Sequence, residues 1–208
     1  MEQRTRRVLL MLGAALVTAA LAAGTAFAVD STSFTMVRSS NAVAADCLEG
    51  ANGRVTINSL GPVEAMNVEL NNLPPNREFD LFVIQVPNAP FGLSWYQGDL
   101  ETDAYGHAQQ RFVGRFSIET FTVAPGSAPA PVVHEDPPFP DAATNPQFAP
   151  THQYHLGLWF GSAGAARAAG CTGDELIRTP FNGDHNAGVQ ALSTRQFGNL
   201  NGPLRRIQ

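Results

Sequence analysis

"EFDLFVIQV", residues 78–86, is the stretch whose reading decides the fold. From Phe79 to Val86 the run is apolar on both faces and rich in aromatic and β-branched side chains. Such a run reads as a central strand covered on both sides. Pro74-Pro75-Asn76 sets a turn before it, and Pro87 and Pro90 stop it.

Working outward, the neighbours are also strands. In "VEAMNVELNNL", residues 63–73, Met66, Val68 and Leu70 face one way and Asn67, Glu69 and Asn71 the other. That alternation is a half-buried strand. "RVTINSL", residues 54–60, carries Val55 and Ile57 in the same manner. Downstream, "LSWYQGDLETD" (93–103) and "GHAQQRFVGRFSIETFTV" (106–123) flank "TDAYG", whose Asp103 and Gly106 suit a tight turn. The pair is expected to form a hairpin. In "QYHLGLWF", residues 153–160, Tyr154, Leu156, Leu158 and Phe160 share one face, and His155, Gly157 and Trp159 the other. "ELIRTPF" (175–181) and "GVQALSTRQF" (188–197) complete the strand candidates. One short helix is expected near 162–169, with Ser162 as its cap, alanines inside and Gly170 as its stop. Seven to nine strands with little helix predict an all-β fold, an antiparallel β-sandwich that is immunoglobulin-like in the loose sense.

Eight of the 15 prolines fall between 124 and 150. Proline cannot donate to a ladder, so this stretch reads as an extended, Pro-rich surface excursion. Its length is unusual inside one domain. Residues 29–208 are nevertheless read as a single domain, because a cysteine stands on each side of the excursion.

The first residues read as an address. Arg4, Arg6 and Arg7 precede an apolar run from Val8 to Ala23, and Ala26-Phe27-Ala28 fits a small-x-small cleavage pattern. Residues 1–28 are therefore read as a secretory signal peptide cleaved after Ala28. The general secretory route is preferred to the twin-arginine one. No cysteine follows the cleavage point to carry a lipid. The product is expected to be secreted, extracellular and not membrane-anchored. In that compartment the two cysteines, Cys47 and Cys171, read as a disulfide. Closing so long a loop is worth about 4–5 kcal/mol in the chain-entropy model. Two metal-bound thiolates are the competing reading, but no histidine stands at a ligand spacing from either.

The chain has 13 basic and 18 acidic residues, net −5, and every basic residue is arginine. Removing Arg4, Arg6, Arg7 and Glu2 with the signal leaves 10 against 17, net −7. Dispersed negative charge argues against a nucleic-acid partner.

Catalytic motifs are absent: there is no G-x-S-x-G, H-E-x-x-H, C-x-x-C, P-loop or dinucleotide fingerprint. Asp99, Glu101 and Asp103 alternate at a strand end and read as solvated charge beside a turn. A metal site drawing on His134, on His152 or His155, and on Asp184 and His185 is the alternative that carries chemistry. No local spacing encodes it, and "FNGDHNAG" around Asp184 and His185 reads first as a polar turn. No catalytic residue and no cofactor are assigned.

Three segments carry a resemblance. "LPPNREFDLFVIQVPNAPFGLSWYQGDLETDAYG", "YHLGLWF" and "TPFNGDHNAGVQALSTRQF" together are similar to a group of uncharacterised secreted proteins of actinobacteria and related bacteria. The likeness covers most of the mature chain and implies export and a shared fold. It brings no activity, so no site residue is carried over. Separately, "GDLETDAYGHA" resembles a turn of copper-zinc superoxide dismutases, without their ligand histidines, and implies turn chemistry alone. The expectation is a secreted, non-catalytic binding or structural protein whose partner is an extracellular ligand or surface. The alternative is a metal-dependent or hydrolytic extracellular enzyme with a site near 152–155 and 182–186.

Overall fold

A computed structural model describes residues 31–89, 91–92, 94–116, 154–171 and 189–207. The expected signal peptide, the Pro-rich excursion at 124–150 and the strand candidate at 175–181 lie outside the described residues. Eight strands are described: β1 (Ser31–Arg38), β2 (Asn52–Ser59), β3 (Glu64–Asn71), β4 (Glu78–Ile84), β5 (Ser94–Glu101), β6 (Ala108–Gly114), β7 (His155–Phe160) and β8 (Gln190–Ser193). Two short helices, α1 (Ser40–Ala44) and α2 (Ala163–Ala168), and a 3-10 turn at Pro203–Arg206 complete them. The all-β expectation holds. No helix among the described residues is long and apolar enough to cross a membrane.

The strands follow the order β5-β4-β7-β8-β1-β2-β3-β6, and each neighbouring pair is antiparallel. β4, the opening stretch, is interior to that order, between β5 and β7. β1 turns a corner: Ser31–Met36 pairs with β2, and Val37 and Arg38 pair with β8. This strand was not among those expected. Its serines and threonines mask a clean alternation in which Thr32, Phe34 and Met36 are buried and Ser31, Ser33 and Thr35 exposed.

The expected hairpin between β5 and β6 is corrected. The two strands are consecutive in the chain but stand at opposite ends of the order. The turn between them is tight: the Asp103 carboxylate accepts from the Tyr105 and His107 backbone N–H, at 2.8 and 2.9 Å. Its flanks then diverge. The Thr102 N–H donates to Arg77 O on the approach to β4, while Gly106 O accepts from the Leu73 N–H at the end of β3. Gly106 has φ +79°, and a Cβ there would lie 2.0 Å from Leu73 O, so only glycine fits this corner. The loop thus brings the two ends of the sheet together. A Cβ on Gly98 of β5 would stand 2.7 Å from the Phe112 ring of β6. The eight strands thus form one antiparallel sheet that curves until its two ends approach each other.

The inner faces fill it. Phe34 and Met36, Val55 and Ile57, Met66 and Val68, Phe79 and Leu81, Leu156 and Leu158 belong to one core. Each such side chain, fully buried, contributes about 1.5–3 kcal/mol.

Cys47 and Cys171 form the expected disulfide, with Cα atoms 5.3 Å apart. The two helices deliver them by the same local device. Ser39 and Ser162 cap them, accepting from the Ala42 and Ala165 N–H. Each helix then ends in paired reverse hydrogen bonds, Cys47 N–H to Ala42 O with Asp46 N–H to Val43 O, and Cys171 N–H to Ala166 O with Gly170 N–H to Arg167 O. This ending needs one left-handed residue, supplied by Asp46 (φ 50°) in α1 and Gly170 (φ 77°) in α2. A cysteine follows each of them.

Candidate functional site

Of the expected ligands, the structure describes His155 alone. His152, Asp184 and His185, and with them His134, lie outside the described residues. His155 is described, and its ring is committed to structure. It is fully buried on β7, with Nδ1 2.9 Å from Thr194 Oγ1 and Nε2 3.1 Å from Asn199 O. Burial pushes its pKa down to about 4, against the opposing pull of the Asn199, Gly198 and Thr194 backbone. A hydroxyl 2.9 Å from an imidazole is also the spacing of a nucleophile and its base. Here both groups are buried, and Thr194 Oγ1 also accepts from the Leu156 N–H. The pair is a structural clasp.

Asp103 is the turn cap described above. The His107 N–H first, then those of Tyr105 and Gly106, hold its carboxyl below the usual range. Glu101 and Asp103, with Glu69, Asn71, His107 and Gln109, line an open groove of about 520 Å³. The two carboxylates and His107 are exposed there, as the solvated-charge reading expects.

Asp99 has another setting, reached from the outer face of β4. On this strand Phe79, Leu81 and Val83 face the core, so Glu78, Asp80, Phe82 and Ile84 face outward. On β7 the outward residues are His155, Gly157 and Trp159. The register lays them in rows. Asp80 stands opposite Asp99 of β5 and Trp159 of β7, and Trp159 opposite Gln190 of β8. Phe82 stands opposite Tyr96 and Gly157, and Gly157 opposite Ser193.

This outer face has three features. The first is aromatic. Phe82 and Phe91 pack edge-on against Trp159, with centroids 5.2 and 5.0 Å away, and Tyr96 lies 5.7 Å from Phe82. Gly157 admits the indole, since a Cβ there would come within 2.3 Å of the Trp159 ring and 2.7 Å of Gln190 Nε2. The second is acidic. Carboxylate oxygens of Glu78, Asp80 and Asp99 lie within 4.8 Å of one another, with Asp80 buried and the other two half-buried. The Tyr96 hydroxyl donates to Asp99, and burial first, then that bond and the neighbouring carboxylates, raises its pKa. Three carboxylates so disposed suit a hard, oxygen-seeking divalent cation.

The third feature is unmet polarity. Trp159 Nε1, Gln190 Nε2 and Ser193 Oγ are buried and have no hydrogen-bond partner among the described residues. Leaving such a group unpaired costs about 1–3 kcal/mol. Trp159 and Gln190 face each other in register, and Ser193 stands opposite Gly157, which both of their side chains overlie.

Sequence reading missed this constellation. One signal was present: Asp80 is a carboxylate in the middle of a strand read as covered on both faces. A buried charge is kept only when it is paired or has a task. No known protein-family model matches the chain, and no curated protein matches it.

Proposed function

We propose that this is an exported, disulfide-stapled β-sandwich protein that acts by binding and not by catalysis. The ligand is a small, neutral, hydroxyl-bearing molecule seated on the outer face of β5, β4, β7 and β8. The sandwich reading takes β6-β3-β2-β1 as one layer and β1-β8-β7-β4-β5 as the other, with the divided pairing of β1 as its support. Export rests on the signal-like residues 1–28 and is supported by a buried disulfide with no free cysteine.

The observation that carries the binding reading is the set of groups on Trp159, Gln190 and Ser193 that have no partner among the described residues, beside an aromatic cluster. Two of the three are donors only and call for an acceptor. Glu78, Asp80 and Asp99 on the same face disfavour an anion and favour a group that also donates. A hydroxyl does both, and C–H faces of a sugar or polyol pack on aromatic rings. At the β5 edge of this face Tyr96 is 44 % exposed and Asp99 half-buried, while Trp159 on β7 is buried.

A second reading has its own observation: the carboxylates of Glu78, Asp80 and Asp99 stand close enough together to take a divalent cation, at a place apart from residues 152–155 and 182–186. One experiment separates the two. In a Trp95→Phe background, Trp159 is the remaining tryptophan and its emission reports on this face. Glucose, mannose, N-acetylglucosamine and trehalose are titrated in chelator, and calcium chloride is titrated separately. A saturable emission shift with a sugar, lost in Gln190→Leu, supports ligand binding. A rise in melting temperature with calcium alone, lost in Asp99→Asn, supports the metal. Silence in both arms overturns both readings.

A further inference from the structure

The last described stretch, residues 194–207, forms an arm that leaves β8 and returns across the ends of β1 and β7. The Thr194 N–H donates to Leu156 O, and the Leu204 N–H to Tyr154 O. Arg195 Nε and Gln196 Nε2 donate to the carbonyls of Arg38 and Thr35 on β1, both at 2.6 Å. Phe197 packs edge-on against Phe34, and the Arg206 guanidinium lies 5.0 Å over the Phe197 ring. Leu204 and Ile207 join the core.

His155 sits where the arm begins. Its Nε2 faces the Asn199 carbonyl, which can only accept, so Nε2 carries the proton. Nδ1 is then bare and accepts from the Thr194 hydroxyl at 2.9 Å, the shorter of that hydroxyl's two donor contacts, the other being Leu156 O at 3.4 Å. The ring thus holds both ends of the turn from 194 to 199. Burial and the hydrogen bonds of the turn set the charge preference of the ring, with no charged group among the causes. The arm brings Arg195, Arg205 and Arg206, and β1 brings Arg38. Tyr154 immediately precedes β7, and its carbonyl accepts from the Leu204 N–H of the arm. β4 sets Ile84 opposite the ring, and its carboxylates, Glu78 and Asp80, stand at the far end, where Asp80 meets Trp159. Four residue steps along the strand separate His155 from Trp159, roughly 13 Å.

We propose that His155 is an acid-sensitive latch that holds the C-terminal arm against β1 and β7. A proton on Nδ1 removes the acceptor that faces Thr194 and puts a positive charge into a buried place, which costs more in the docked arm than in solvent. The arm then releases while the sheet stays paired. The buried ring resists this proton until about pH 4, whereas a solvated histidine takes it near 6.5. The released arm therefore binds the proton first. Stability of the docked arm is complete above about pH 6.5 and is lost progressively as pH falls toward 4. By linkage, release at pH 5 is roughly 25-fold more frequent than at pH 7.5.

The test is hydrogen exchange of the intact, disulfide-bonded protein, corrected for the intrinsic pH dependence of exchange. It compares peptides covering 195–207 with peptides covering β2 and β3. In wild type the arm should lose protection roughly 25-fold from pH 7.5 to pH 5 while β2 and β3 stay constant. In His155→Gln, which keeps a neutral amide, the arm should be insensitive to pH. The same acid response in His155→Gln, or an equal loss across β2 and β3, overturns the latch. Should the variant not fold, an NMR titration of the wild-type ring decides: titration below pH 5 supports the latch, and titration at or above pH 6 contradicts it.

Discussion

The β4–β7 ladder has two faces, both closed to solvent and chemically opposite. Inward, Leu81, Val83, Leu156, Leu158 and Phe160 are apolar and belong to one continuous core. Outward, Asp80, Phe82, Ile84, His155, Gly157 and Trp159 are just as buried, yet they mix a carboxylate, an imidazole, an indole and a glycine gap. Their apolar members form a separate small cluster with Phe91. Equal burial therefore conceals two purposes. The inner face minimises polar atoms, as a core built for stability does. The outer face keeps buried donors that no neighbour among the described residues meets, a cost that stability alone would not retain.

The largest break in this comparison comes from the inner face. Leu158→Ala removes a fully buried side chain from the main core, and chemical denaturation should show a loss of about 3–4 kcal/mol. On the outer face, Gly157→Ala adds one methyl against the Trp159 ring and Gln190. It should cost about 1–3 kcal/mol by overpacking and shift the tryptophan emission, which Leu158→Ala leaves nearly unchanged.

Much of the fold was legible because its signals are local. Alternation placed β2, β3 and β7, unbroken apolarity placed β4, and Ser162 with Gly170 bounded α2. The disulfide followed from an even cysteine count. What was not legible is nonlocal. A turn such as Asp103–His107 looks the same in a hairpin and in a corner. Which one forms depends on Thr102 bonding near β4 and Gly106 bonding at the end of β3. β1 was missed because its polar residues outweigh Phe34 and Met36 in any reading of apolarity. The outer face was half legible. Alternation grouped His155, Gly157 and Trp159, but only register brings Asp80, Asp99, Gln190 and Ser193 beside them. The histidine-based site was sought from residue type, which could not show that the two nitrogens of His155 serve the arm.

The most direct test of the claim that the outer face keeps polarity for a purpose other than stability lies in two adjacent hydroxyls. Ser193 Oγ is buried and has no partner among the described residues, while Thr194 Oγ1, also buried, meets His155 Nδ1 and the Leu156 N–H. Denaturant titration of Ser193→Ala and Thr194→Val compares them at nearly constant shape. Ser193→Ala should leave stability unchanged or raise it by up to about 1 kcal/mol, and Thr194→Val should lower it by about 1–3 kcal/mol. A loss of about 2 kcal/mol or more in Ser193→Ala would show that the hydroxyl is already satisfied within the fold and would contradict the account.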